Sequence, residues 1–155
     1  MKVQVRNGLF ETNSSSTHAI NVYHNEHPYD IPAEIILELS DYIFDRAYNK
    51  HNSIKSKLAY LILSTNSEQD VTLIKSLLSA KGVENIIIYE SDGFGGWVDH
   101  AECNGKLLTD LLSHPDLFYD FIFNPESHII TGDNCDDEFE HIEIDSNAKY
   151  NFLNG

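Results

Sequence analysis

Residues 10–18 concentrate groups that can do chemistry. The run Phe10-Glu11-Thr12-Asn13-Ser14-Ser15-Ser16-Thr17-His18 carries five hydroxyls, a carboxylate, a carboxamide and an imidazole. A serine beside an imidazole is the minimum arrangement of an activated nucleophile, because the ring can take the hydroxyl proton as the oxygen attacks. His18 with Ser14, Ser15 or Ser16 meets that minimum in composition, although the Gly-x-Ser-x-Gly elbow of α/β-hydrolases is absent. The alternative is structural: Ser, Thr and Asn side chains bond neighbouring backbone groups, so the run would fold as a tight, self-bonded turn. In either case Arg6, Glu11, Asn13 and Thr17 are candidate binding groups, with Arg6 also placed to pair with Glu11.

A second candidate is Asp99-His100, which follows a glycine-loosened loop and the only tryptophan, Trp97. Adjacent residues of a strand point to opposite faces, so the two side chains cannot serve one another there. In a loop, one could reach the Ser-rich run while the other bonds backbone. His100 is then the acid/base, with Asp99 or Asp133 as its orienter. Asp133, Asp136, Asp137 and Glu138 offer oxygen ligands to Mg²⁺ or Ca²⁺, but lack the alternating oxygens and turn glycine of an EF-hand loop. A solvated acidic loop is the preferred reading, with no metal or cofactor expected. His24, His27, Cys103 and Cys135 show neither finger nor HExxH spacing for zinc. Gly93, Gly95 and Gly96 have no accompanying Lys or Arg and no P-loop pattern.

Three segments together carry a resemblance. Residues 6–18 run Arg-Asn-Gly-Leu-Phe-Glu-Thr-Asn-Ser-Ser-Ser-Thr-His; Gly96-Trp97-Val98-Asp99-His100 and Ser127-His128-Ile129-Ile130-Thr131-Gly132-Asp133 follow downstream. The chain resembles a family of small phage and prophage proteins of Gram-positive bacteria. That family shares an FETNSSSTH motif, a Gly-aromatic-hydrophobic-Asp-His box and a late Ser-x-Ile-x-Thr-Gly-Asp/Asn segment. The resemblance implies a phage or mobile-element accessory role and, if phage-encoded, the host cytoplasm. It brings no catalytic assignments, and adds Trp97, Ser127 and Asp133 to the candidate binding residues.

Charge narrows the partners. Ten Lys and Arg stand against 25 Asp and Glu, a formal net charge of −15. Eight carboxylates and no Lys or Arg lie between Glu126 and Asp145. Gripping a phosphate backbone requires cations that displace counterions, so direct nucleic-acid binding is not expected. An acidic surface suits basic partners, including proteins that themselves hold nucleic acid, or serves simply for solubility. The sequence shows no membrane span and no signal-peptide layout at its start, and the two separated cysteines read as free cytosolic thiols.

The elements that must position these groups follow from periodicity. With 155 residues, 41% of them hydrophobic, a single globular domain can bury a sizeable core. Val3 and Val5 start a strand, and Ile20 with Val22 another, so the hydroxyl turn is slung between two strands. Ile35, Ile36, Leu39, Ile43 and Phe44 keep a helical stripe from Ala33 to about Tyr48, with Pro32 at its first turn. A second stripe runs from Ile54 to Ile62. Ser67 with Asp70 resembles a capping box opening a helix that ends at Gly82. Asn85 to Tyr89 reads as a buried central strand. Leu107 to Leu112 is a short helix ending near Pro115, Phe118 to Phe123 packs inward, and Ile129-Ile130 and Phe139 to Ile144 are late strands. The expected fold is α+β: a small mixed sheet of N-terminal, central and C-terminal strands packed against several helices.

Two functions from different classes fit. In one, the protein binds a basic, nucleic-acid-binding host protein through its acidic surface, Asp133, Asp136, Asp137 and Glu138 included, as a counter-defence inhibitor. In the other it is a small hydrolase or group-transfer enzyme, with Ser14, Ser15, Ser16, His18, Asp99 and His100 as its catalytic polar pocket.

Overall fold

The computed structural model describes residues 16–90, 96–133 and 144–154. Its main sheet is antiparallel, and its strands come from widely separated parts of the chain. β1 (Ser16–Val22) lies between β7 (His128–Asp133) and β8 (Tyr150–Asn154), and β4 (Asn49–His51) extends the sheet beyond β7. All seven β1 residues are buried, so both faces of this strand are covered. The hydroxyl turn expected at Ser16-Thr17-His18 is therefore strand instead. Backbone groups that Ser and Thr could have claimed are taken by the ladders to β7 and β8, with Ser16 opposite Asp133 and His18 opposite both Thr131 and Asn154.

The helix expected from Ala33 to Tyr48 is also overturned. β2 (Glu34–Glu38) leads through a 3₁₀ turn (Leu39–Asp41) into β3 (Ile43–Phe44). Glu-Ile-Ile-Leu-Glu satisfies a period of two as well as one of 3.6: Ile35 and Leu37 are buried while Ile36 is 42% exposed. The β-branched pair favours extended backbone, and pairing with a distant strand decides the ambiguity. That strand is β5 (Asn85–Tyr89), which runs parallel to β2 in register Ile35↔Ile86. The crossover between them is helical, as parallel pairing requires: α1 (Ile54–Ser64) and α2 (Glu68–Lys81). β5 is a strand as expected but not a buried one, since Ile86, Ile87 and Ile88 are half-buried and Tyr89 is 52% exposed. β3 pairs in parallel with β6 (Trp97–Val98).

Helix boundaries follow local chemistry closely. Ser53 caps α1 by accepting from Ser56 N–H, and Ser67 caps α2 by accepting from Asp70 N–H. Gly82 closes α2 at φ 120°, a conformation that side-chain-bearing residues avoid. After a 3₁₀ turn (Ala101–Asn104) come α3 (Gly105–Ser113) and α4 (Pro115–Phe123), with Pro115 at the first position of α4. Phe118, Phe121, Ile122 and Phe123 enter the core with Leu58, Leu61, Ile74, Leu78 and Phe44. The result is one α+β domain. Val3, Val5 and most of the strand expected at 139–144 lie outside the described residues, and β8 had no counterpart among the sequence expectations.

Candidate functional site

Strand alternation puts Ser16, His18, Ile20 and Val22 on one face of β1. Ser16 donates its hydroxyl to Asp99 Oδ2 at 2.8 Å, so the first and second recognised segments meet. The third joins through the ladder, where Asp133 is the register partner of Ser16. Asp99 is positioned by its own N–H, which donates to the Phe44 carbonyl at 2.8 Å. As expected for a loop, Asp99 reaches the serine; the ring of its neighbour His100 lies beside the same carboxylate, Nε2 at 3.9 Å from Oδ2.

His18 does not pair with Ser16. Its Nε2 faces the Asp45 carbonyl at 3.3 Å and its Nδ1 faces Tyr60 Oη at 2.9 Å. A carbonyl can only accept, so Nε2 carries the proton and Nδ1 accepts from the tyrosine hydroxyl. The network continues inward: Asn104 Nδ2 donates to Tyr60 Oη at 3.1 Å and to Ser64 Oγ at 2.9 Å, while Asn154 Nδ2 donates to Asn104 Oδ1 at 2.6 Å. Burial pushes the His18 pKa down from 6.5 to about 4, a fall reinforced by nearby His100 and His51 and opposed by the Asp45 carbonyl and Asp99. His18 is thus a neutral, fully buried ring with both nitrogens engaged, suited to holding strands and unsuited to shuttling protons with solvent.

The turn after β6 is shaped differently. His100 sits at φ 57°, ψ 37°, the left-handed region, which costs a non-glycine residue about 1–2 kcal/mol. Its carbonyl accepts from Asn154 Nδ2 at 3.0 Å and from Cys103 N–H at 2.9 Å. Its ring stands between two carboxylates, Nε2 at 3.9 Å from Asp99 Oδ2 and Nδ1 at 3.8 Å from Glu102 Oε1. Both gaps exceed hydrogen-bond length. Nε2 is buried and makes no hydrogen bond.

The remaining candidates scatter. Thr17 is buried opposite Gly132. Trp97 is 46% exposed and available to a partner. Ser127 is wholly buried: its hydroxyl donates to the Asp120 carbonyl at 2.7 Å and accepts from Tyr23 N–H at 2.9 Å. That makes it a tie within the fold. Arg6, Glu11, Asn13, Ser14, Ser15, Asp136, Asp137 and Glu138 lie outside the described residues.

Two polar centres carried no sequence signal. The Asp120 carboxylate, 4% exposed, collects Lys149 Nζ at 2.6 Å, His24 Nδ1 at 3.1 Å and the Tyr29 hydroxyl. Burial opposes its ionisation, but Lys149, Tyr29 and His24 overcome this and hold it below the usual carboxylate range. Lys57 is wholly buried, donating to the carbonyls of Asn124 at 2.8 Å and Ser127 at 3.0 Å at the C-terminal end of α4. Burial brings its pKa down from 10.5 to about 7. Each looks like any other ionisable residue of an amphipathic segment, since Lys55 stands beside Lys57 in α1 and Asp116 precedes Asp120 in α4, and their partners are 29 to 96 positions away.

Comparison with family models, with curated proteins and with solved structures finds no match to this chain.

Proposed function

We propose that the protein acts by binding. Its acidic surface occupies the basic, nucleic-acid-gripping face of another protein, as a counter-defence inhibitor of a phage or mobile element would. The observation that supports this reading is how the cations are used. Of the eight Lys and Arg among the described residues, Lys57 is buried, Lys106 and Lys149 are tied to Asp110 and Asp120 at 2.6 Å each, and Lys81 lies over the Tyr119 ring, while Arg46, Lys50, Lys55 and Lys75 are exposed. Meanwhile Glu26, Asp30, Glu84, Glu90, Asp116 and Glu126 are among ten exposed Asp and Glu of the described residues, and with a formal net charge of −15 carboxylates predominate in the field outside the protein. A relay enzyme would need an imidazole on the serine hydroxyl, whereas Ser16 donates to a carboxylate and His18 is turned to Tyr60. No helix among the described residues is long and apolar enough to cross a membrane.

The test is competition. A DNA-gripping host protein retained by the immobilised chain is challenged with duplex DNA at rising salt. DNA and chain should displace one another, and retention should weaken steeply with salt, since exposed charges are screened over about 8–10 Å at physiological ionic strength. Reversing Asp136, Asp137 and Glu138 to lysine should abolish retention while the melting curve is kept. A ternary complex with DNA, or retention indifferent to salt and to the triple reversal, overturns the proposal.

A further inference from the structure

We infer that the turn following β6 is a transition-metal site, fitted to Zn²⁺, with His100, Glu102 and Cys103 as ligands and Asp99 as the group that orients His100. One donor atom from each of the three ligands lies within 4.8 Å of the other two. Tetrahedral zinc bonds of about 2.0–2.3 Å place the ligand atoms of a nitrogen, oxygen and sulfur set about 3.3–3.6 Å apart. The His100 Nδ1 to Glu102 Oε1 separation of 3.8 Å is close to that value already. Glu102 is 78% exposed at its side chain and Cys103 is also exposed, so both can close the remaining distance by side-chain rotation. The Cys103 N–H to His100 carbonyl bond at 2.9 Å fixes the turn that brings the three together.

The far side of the ring supplies an independent argument. A metal-ligating histidine characteristically gives its other N–H to a carboxylate, which sets the tautomer and raises the basicity of the ligating nitrogen. Here Nε2 is buried without a hydrogen-bond partner, and Asp99 Oδ2 lies 3.9 Å away. Asp99 in turn is held by Ser16 at 2.8 Å. A small ring rotation as the metal draws Nδ1 toward Glu102 and Cys103 would complete the series Ser16, Asp99, His100, metal. One nitrogen, one sulfur and one carboxylate form a borderline-soft donor set that favours Zn²⁺ over Mg²⁺ or Ca²⁺. Three protein ligands leave a fourth position for water or for a donor from a partner.

Cobalt(II) is the probe. The full chain, freed of metal, is titrated with Co²⁺, and a thiolate-to-cobalt charge-transfer band with four-coordinate visible bands should saturate at one ion per chain; Zn²⁺ should then displace it. Cys103→Ser should lose the charge-transfer band, and Cys135→Ser should keep it. Glu102→Gln and Asp99→Asn should weaken Co²⁺ binding by about 10–100-fold, as lost ligands and lost orienting carboxylates do. Cys103 and Glu102 are exposed, so their variants report on the site even if His100→Ala fails to fold. No charge-transfer band, a band lost in Cys135→Ser but kept in Cys103→Ser, or Glu102→Gln binding like the wild type would each overturn the assignment.

Discussion

Acid should unfold this protein earlier than its carboxylates alone would dictate, and His18 should account for a measurable share. The ring is 0% exposed and its pKa falls from 6.5 to about 4. Between those values the unfolded chain binds a proton that the folded chain refuses, so the unfolded state gains as pH drops. The stabilisation is complete above pH 6.5, is lost progressively below it, and is gone by pH 4. The full difference is about 3 kcal/mol, and about 2 kcal/mol of it is lost between pH 7 and pH 5. Burial lowers the pKa of His51 and His128 in the same direction, so the wild type alone cannot isolate the effect. His18→Gln can. Urea unfolding of wild type and variant at pH 7 and pH 5 gives two stability gaps, and every other titrating group cancels from their difference. The gap should shrink by about 2 kcal/mol at pH 5. A gap unchanged to within about 0.5 kcal/mol, or a His18 NMR titration near its unperturbed 6.5, would refute the buried neutral ring.

Two further outcomes follow from the buried polar groups. Tyr60→Phe removes the hydroxyl shared by His18 and Asn104, and should cost about 1–3 kcal/mol in urea unfolding because both partners stay buried; a loss below about 0.5 kcal/mol would count against the network. Lys57 has a folded pKa of about 7 against 10.5, so its unfolded form keeps a proton that the folded form releases, and stability rises with pH across that window. Relative to Lys57→Met, the wild type should gain about 2.5 kcal/mol between pH 7.5 and pH 9.5, and parallel pH profiles for the two proteins would show that the buried amine stays charged.

What could be read from the sequence was whatever depends on near neighbours. The caps Ser67 and Gly82, the stripe from Ile54 and the short helix before Pro115 involve partners within a few positions, and they stand as read. Ala33 to Tyr48 was misread because its apolar spacing suits two periods, and only β5, some fifty residues on, selects between them. The Ser-rich run was misread where it is described, because the capping tendency of Ser and Thr is a local preference that two flanking strands override. At the site, Asp99 and His100 were legible as residue types in a loosened loop. Tyr60, Asn104 and Asn154 were not, since a buried amide or phenol looks like a surface one until its partners are in place.

The polar side chains of β1 resolve a question that its apolar ones leave open. In a strand with one buried face, a one-residue slip exposes the hydrophobic set and is strongly disfavoured. β1 is buried along both faces, so Ala19, Ile20 and Val22 discriminate poorly between registers. Ser16 and His18 discriminate well. A slip of one residue would carry Ser16 away from Asp99 and His18 away from Tyr60 and the Asp45 carbonyl, leaving several buried polar groups unsatisfied at about 1–3 kcal/mol each. The same bonds reach the exposed turn, because Asn154 joins Asn104 in the interior to the carbonyl of His100. The backbone conformation of His100 is therefore set from within the core, and Asp99 on one side of its ring is held in place by Ser16 of the strand that fixes the register, while Glu102 on the other side is exposed.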